Sequence, residues 1–286
     1  MQSFIPKTWE EIPDCLRQMT EKSKFLGGGT DLIIKLHSGQ LKPDALCYLG
    51  YVRELREIRE QEEGLSIGAY LSMTELERDP RIKARYPALM QAAADVGSVQ
   101  IRNNGTIGGN IGNASPAGDL LPVLCLYEAK IETMGPGGLR RLPIEEVLLS
   151  PGRMSLSYNE AIVRILLPPC AMETAFLKLG SRKKLTISRI GIALGAERED
   201  GRIRKLRLYI GAVSIKPLRL KAAEELAIGK RIGESEVLAM AEILSDYIRE
   251  HVPEEFDRDY KVWAARGAML DIFSRLKLIS AGESEG

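Results

Sequence analysis

The stretch Arg102-Asn-Asn-Gly-Thr-Ile-Gly-Gly-Asn-Ile-Gly-Asn-Ala-Ser-Pro-Ala-Gly-Asp119 places five glycines within fourteen residues, and almost no bulky polar side chain interrupts them. Glycine lacks a Cβ and reaches φ > 0, so successive N–H groups can turn toward one anion as a concave nest. A diphosphate is a natural occupant of such a nest. Thr106, Asn110, Asn113, Ser115 and Asp119 add short hydrogen-bonding side chains. An ionised Asp119 only accepts, which suits a ribose or ribityl hydroxyl. The ligand indicated is a nucleotide bearing a polyol. The competing reading is a loop whose glycines serve only tight turns.

A second run, Phe25-Leu-Gly-Gly-Gly-Thr-Asp-Leu32, weighs against that competitor. It follows a short apolar lead and precedes Ile33-Ile34-Lys35-Leu36, so it reads as a turn between a buried strand and another ordered segment. Neither run fits the common phosphate-binding patterns. The chain contains no G-x-x-x-x-G-K-[ST], and Gly27-Gly28-Gly29 is not the G-x-G-x-x-G that opens a long βαβ helix.

Working outward, the polar segment Glu10–Thr20 reads as a helix, and Lys24–Leu26 and Ala45–Leu49 as strands flanking the first run. Leu65–Ala69 alternates as a strand, and Ser72-Met-Thr-Glu75 has the form of a capping box. The alanine-rich Pro87–Val96 predicts a helix that leads into the main glycine loop. Leu120–Tyr127 predicts another, with Pro122 tolerated in its first turn. Lys130–Met134 and Leu139–Leu142 around Gly135-Pro-Gly-Gly138 read as a hairpin, and Glu160–Leu167 as a strand ended by Pro168-Pro169, where a domain boundary is placed.

Beyond it, Thr174–Leu179, Ile190–Arg198 and Ile203–Val213 read as strands, the last two joined at Asp200-Gly201. Glu234–Ile248 and Val262–Leu276 carry apolar residues at helical spacing. The small polar tail Ser280–Gly286 is expected to be disordered.

A chain of 286 residues, 44% hydrophobic, has room for two domains and an ample core. Forty Lys and Arg against thirty-nine Asp and Glu leave a net charge of +1, which offers no general attraction to nucleic acid or an anionic membrane. Cys15, Cys47, Cys125 and Cys170 stand far apart without a C-x-x-C, so they read as free thiols and indicate neither zinc nor an iron–sulfur cluster. The N-terminus lacks a basic segment followed by an apolar core, and no run of eighteen apolar residues occurs. The expectation is a cytoplasmic protein without a membrane span. His37 and His251 lie outside any nucleophile motif and read as solvent or packing residues.

Gly27-Gly-Gly-Thr-Asp-Leu32, Ile101-Arg-Asn-Asn-Gly-Thr-Ile-Gly-Gly-Asn110 and Ala114-Ser-Pro-Ala-Gly-Asp-Leu-Leu-Pro122 together resemble the FAD-binding (medium) subunit of the molybdenum hydroxylases. That family includes the medium subunits of bacterial xanthine, carbon monoxide and nicotinate dehydrogenases. The resemblance implies an α+β chain. A two-subdomain FAD-binding fold of the vanillyl-alcohol-oxidase/MurB-like type would span 1–169, with subdomains about 1–60 and 61–169. A C-terminal domain of a small antiparallel sheet with helices would span 170–279, followed by the tail 280–286.

It also implies that FAD is held by Leu26, Gly27, Gly28, Gly29, Thr30, Asp31 and Leu32 from the first run, and by Gly105, Thr106, Gly108, Gly109, Asn110 and Asn113 from the second. Asp119 would meet polar atoms of the nucleotide, Ile162 would pack at the flavin, and Lys178 would place a positive charge near its ring. On residues alone, Lys178 reads first as a solvated strand lysine, an order that the resemblance reverses, and Ile162 reads equally as a buried strand isoleucine. Arg182 and Lys183 read as contacts for a nicotinamide dinucleotide phosphate or as a solvated face. Two departures stand out: Gly27 occupies a position where relatives often have alanine, and Leu185-Thr-Ile-Ser-Arg189 lacks an acidic residue common in the family.

The function implied is an oxidoreductase subunit that passes electrons from iron–sulfur clusters on a partner chain, associated with a molybdenum-cofactor chain, through FAD to NAD+ or another acceptor. The alternatives are a self-contained flavin oxidoreductase and a non-catalytic nucleotide-binding module.

Overall fold

The computed structural model describes residues 1–182 and 186–279. The readings for Lys183, for Leu185 and for the tail 280–286 lie outside the described residues. The chain divides into two compact units. The first comprises Met1–Asp79, Ser98–Ser115 and Tyr127–Pro169; the second comprises Pro80–Gly97, Pro116–Leu126 and the chain from Cys170 onward.

Among the described residues the first unit holds the two-stranded pair Leu148–Ser150 with Arg153–Met154 and two main sheets. In the smaller, Ala45–Cys47 runs between Gln2–Phe4 and Lys24–Phe25, all parallel. The larger is antiparallel in the order Ile58–Gln61, Gly64–Gly68, Ala161–Leu167, Lys130–Gly135, Gly138–Pro143. Along Ala161–Leu167 buried and half-exposed residues alternate, as a pleated strand with one covered face requires. Met73–Arg78 is opened by the expected reciprocal capping box of Ser72 and Glu75. Lys24–Phe25 is half-exposed rather than buried, because it forms the edge of its sheet.

The second unit holds one antiparallel sheet in the order Glu173–Gly180, Ser188–Glu199, Arg202–Gly211, Leu218–Arg219. Asp200 and Gly201 both adopt positive φ, 51° and 75°, and close the central hairpin as a type I′ turn. Val237, Leu244 and Ile248 of the helix Glu234–His251, and Ala265, Met269 and Phe273 of the helix Arg258–Arg275, join Ile192, Leu194 and Leu208 in one core. Every residue of Leu120–Leu126 is buried, as a helix apolar on all sides demands. Among the described residues no helix is long and apolar enough to cross a membrane.

Candidate functional site

Most of the main glycine stretch is not loop: Val99–Asn104 and Ile107–Asn113 are short helices, and 114–119 is irregular. Thr106 caps the second, its hydroxyl accepting from the Gly109 amide at 3.0 Å. Ile107 N–H donates to the Leu71 carbonyl at 3.0 Å, Gly108 N–H to Ala69 at 2.8 Å and Asn110 N–H to Thr106 at 2.9 Å. All four amides are therefore used internally, and none of Gly105, Gly108, Gly109 and Gly112 has positive φ. The anion nest expected over Thr106–Asn110 is absent, because a capped helix spends its first amides on its cap and its neighbours.

These glycines provide close approach instead. A Cβ on Gly108 would lie 2.7 Å from the Ala69 carbonyl oxygen, one on Gly27 would lie 2.8 Å from Thr106 Oγ1, and one on Gly28 would fall 1.7 Å from the Asn104 carbonyl oxygen. The two glycine runs thus interlock backbone to backbone.

The nest belongs to the first run. Leu26 N–H is tied to the Cys47 carbonyl at 2.8 Å, and the buried Tyr70 hydroxyl donates to the Leu26 carbonyl at 2.8 Å while accepting from Leu49 N–H at 3.0 Å. After that anchor, the amides of Gly27, Gly28, Gly29, Thr30 and Asp31 donate to no acceptor among the described residues. Gly29 takes φ 74°, and the turn then enters the helix Leu32–His37. Gly27 to Thr30 are half-exposed, Gly109 is exposed, and the buried Oδ1 of Asn110 has no partner.

Lys35, which sequence reasoning missed, joins the two runs. Its Nζ lies 2.5 Å from Asp31 Oδ2 and 3.3 Å from Asn113 Oδ1. The available signal was the i,i+4 spacing of Asp31 and Lys35 on a short helix. Ile162, in Ala161–Leu167, is half-exposed, so the buried-isoleucine reading does not hold. The register slips immediately after it, against Lys130–Gly135; such irregularities re-aim side chains.

The second unit brings Asp119 and Lys178 together. Lys178 Nζ donates to Asp119 Oδ2 at 2.6 Å and to the Asp95 carbonyl at 3.0 Å, and Ser188 Oγ donates to Asp119 Oδ1. The side chains of Lys178 and Asp119 are only 10% and 6% exposed, so Lys178 is not a solvated strand lysine. Burial pushes the Asp119 carboxyl above its ordinary pKa, outweighing the pull of the Lys178 ammonium and the two hydrogen bonds.

His37 and His251 are exposed, the latter stacked on Tyr247 at 4.3 Å between ring centroids. Among the described residues no group of His, Cys, Asp or Glu is arranged to hold a metal, and the four cysteines are free. Arg182 is exposed.

Residues 1–170 match the family model described as the FAD binding domain in molybdopterin dehydrogenase, and residues 175–275 match the CO dehydrogenase flavoprotein C-terminal domain. The chain is 31% identical to the nicotinate dehydrogenase FAD-subunit of Eubacterium barkeri, over 94% of each chain. It is 30% identical to the carbon monoxide dehydrogenase medium chain of Hydrogenophaga pseudoflava, over 93% of this chain and 92% of that one. A solved structure of carbon monoxide dehydrogenase from the same organism superposes with a TM-score of 0.88 at 30% identity, covering 96% of this chain and 98% of that one. Quinoline 2-oxidoreductase from Pseudomonas putida 86 shares the fold, with a TM-score of 0.89 at 22% identity.

Proposed function

Because this chain belongs to the family of FAD-binding subunits of the molybdenum-containing dehydrogenases, we propose that it is the electron outlet of such a complex. In this reading the chain receives electrons from an iron–sulfur chain, itself supplied by a molybdenum-cofactor chain, and delivers them to NAD+ or another acceptor. Support for partners comes from the relatives' names, a FAD-subunit and a medium chain, which presuppose other subunits. Four free thiols suit a reducing, cytoplasmic setting.

The observation that carries the cofactor assignment is the row of five unclaimed amides from Gly27 to Asp31. They fit a diphosphate, and the orphaned Asn110 Oδ1 fits a hydroxyl donor. When bound, the isoalloxazine supplies the exchange between one-electron and two-electron carriers. The chain's own residues bind and tune. Gly27–Asp31 grip the diphosphate; Thr106, Gly105, Gly108 and Gly109 keep the helix Ile107–Asn113 close to it. Leu26 and Leu32 bracket the turn, Asn110 and Asn113 offer polar contacts, Ile162 packs at the ring, and Asp119 with Lys178 serves the flavin nucleotide.

The test is the native complex. Purified from its own cell, the protein should carry about one FAD per chain and co-purify with an iron–sulfur chain and a molybdenum chain. A lone, flavin-bearing chain that oxidises an organic substrate directly would replace this reading with a self-contained oxidoreductase.

Lys35 gives a finer check. Its ammonium is 38% exposed and partly offset by Asp31, so Lys35→Met should weaken FAD binding by only about 0.5–1 kcal/mol at low ionic strength. The deficit should shrink as salt screens the diphosphate. Titration of flavin fluorescence at two salt concentrations reads both, and a deficit unchanged by salt would argue against a charge effect.

A further inference from the structure

Lys261 lies on the helix Arg258–Arg275 of the second unit and is only 7% exposed. Its electrostatic neighbours are Asp257, which favours the charge, and Arg189, which opposes it, while burial lowers its pKa. Arg189 is itself held by Asp257 at 3.4 Å and lies over the Tyr260 ring at 4.8 Å. Among the described residues the Lys261 ammonium makes one hydrogen bond, to the Ala212 carbonyl at 2.6 Å. A buried cation spent on a single backbone oxygen calls for a reason.

The reason lies in Ala212. Its φ is +65°, a left-handed conformation that a residue with a Cβ adopts only when its surroundings impose it. In that conformation its N–H donates to the Pro116 carbonyl at 2.9 Å. Pro116 opens Pro116-Ala-Gly-Asp119, whose far end is fixed by Lys178 and Ser188. The preceding Gly211 permits close approach on the same side: a Cβ there would sit 3.2 Å from Pro122 Cγ. The segment that presents Asp119 is therefore tethered at both ends, at one by side chains and at the other by a strained residue that a lysine holds in place.

We propose that Lys261 is a positioning residue for the cofactor site: by clamping the Ala212 carbonyl it keeps Ala212 left-handed, so that the Ala212 N–H fixes Pro116 and, through it, the placement of the Asp119 carboxylate toward the flavin nucleotide. The inference rests on the assignment of Asp119 to FAD binding and goes beyond it in naming what sets that residue's position.

The experiment uses the full chain, with FAD affinity read by titration of flavin absorbance and amide hydrogen exchange at Ala212 read without cofactor. Lys261→Met should weaken FAD binding about tenfold, the scale of the left-handed penalty for alanine, and accelerate exchange at Ala212. Glycine adopts positive φ without that penalty, so adding Ala212→Gly should restore FAD affinity in the Lys261→Met background. A lysine that merely packs the helix would give no such rescue. If Lys261→Met fails to fold, Ala212→Val tests the same link from its other end, since a β-branched residue resists positive φ; it should reproduce the loss of affinity.

Wild-type affinity in Lys261→Met or in Ala212→Val overturns the proposal, as does a loss that Ala212→Gly leaves unrepaired. A wild-type chain that never takes up FAD overturns the cofactor assignment and this positioning role with it, while the exchange measurement still shows whether the clamp exists.

Discussion

Gly28→Ala is expected to lower the thermal midpoint of the cofactor-free chain by several degrees and to abolish FAD retention. The added Cβ would stand 1.7 Å from the Asn104 carbonyl oxygen, 2.4 Å from its carbon and 2.9 Å from the Gly105 nitrogen. All three are backbone atoms, so no side chain can swing aside, and the two glycine runs must separate. Overpacking of this kind costs about 1–3 kcal/mol, or roughly 3–10 °C for a unit of this size. Separation also spoils the row of amides at Gly27–Asp31. Gly109→Ala is the milder comparison: its Cβ would meet one side-chain atom, the capping Thr106 Oγ1 at 2.9 Å, at an exposed position, so the cofactor-free chain should melt closer to the wild-type temperature than the Gly28→Ala chain does. Scanning calorimetry of both variants decides, and a Gly28→Ala chain as stable as the Gly109→Ala chain would refute the interlock.

The second large effect belongs to Lys178→Met. Removing one member of a buried ion pair leaves the other charge uncompensated, at a cost of about 3–5 kcal/mol. Asp119 is the group left behind, and its pKa is already raised by burial. A carboxyl whose folded pKa lies above its unfolded value binds protons more tightly when folded. Its protonated form thus favours folding at low pH, and that contribution is lost as pH rises through the folded value. Without Lys178 the folded pKa rises further. The variant's deficit should therefore be greatest at neutral pH, where Asp119 would have to be buried bare, and should shrink toward acid pH, where it is protonated. Urea unfolding at pH 7.5 and pH 5 reads this directly, and Asp119→Asn added to Lys178→Met should recover most of the stability at pH 7.5. A deficit equal at both pH values would mean that Lys178 acts through packing alone.

What the sequence made legible was local. The type I′ turn at Asp200-Gly201, the Ser72 and Glu75 capping box and the hairpin around Gly135–Gly138 each follow from a few adjacent residues. The main glycine run reads as a loop in sequence, yet most of it is helical. Three glycines in the seven-residue helix Ile107–Asn113 lower its intrinsic propensity by about 1 kcal/mol each relative to alanine, so the stretch reads as loop. Contacts from Ala69 and Leu71, distant in sequence, make it helical. The Asp119–Lys178 pair and the tie from Lys35 to Asn113 join residues many positions apart, and no periodicity announces them. Ala212 is harder still to foresee, since alanine gives no sign of a left-handed backbone.

The interleaving of the two units along the chain bears on how the protein is made. Leu120–Leu126, buried at every position, belongs to the second unit, where the backbone of Gly211 approaches Pro122 and that of Gly195 approaches Leu126. A ribosome releases this helix well before the strands Ser188–Glu199 and Arg202–Gly211 exist, and the helix Pro87–Asp95 earlier still. During that interval both stay without the sheet they pack on, while translation inserts Tyr127–Pro169 of the other unit between them and their partners. Greasy segments stranded in a nascent chain are targets for chaperones and seeds for aggregation. The second unit can close only once the strands Ser188–Glu199 and Arg202–Gly211 and the helices that follow them have been made.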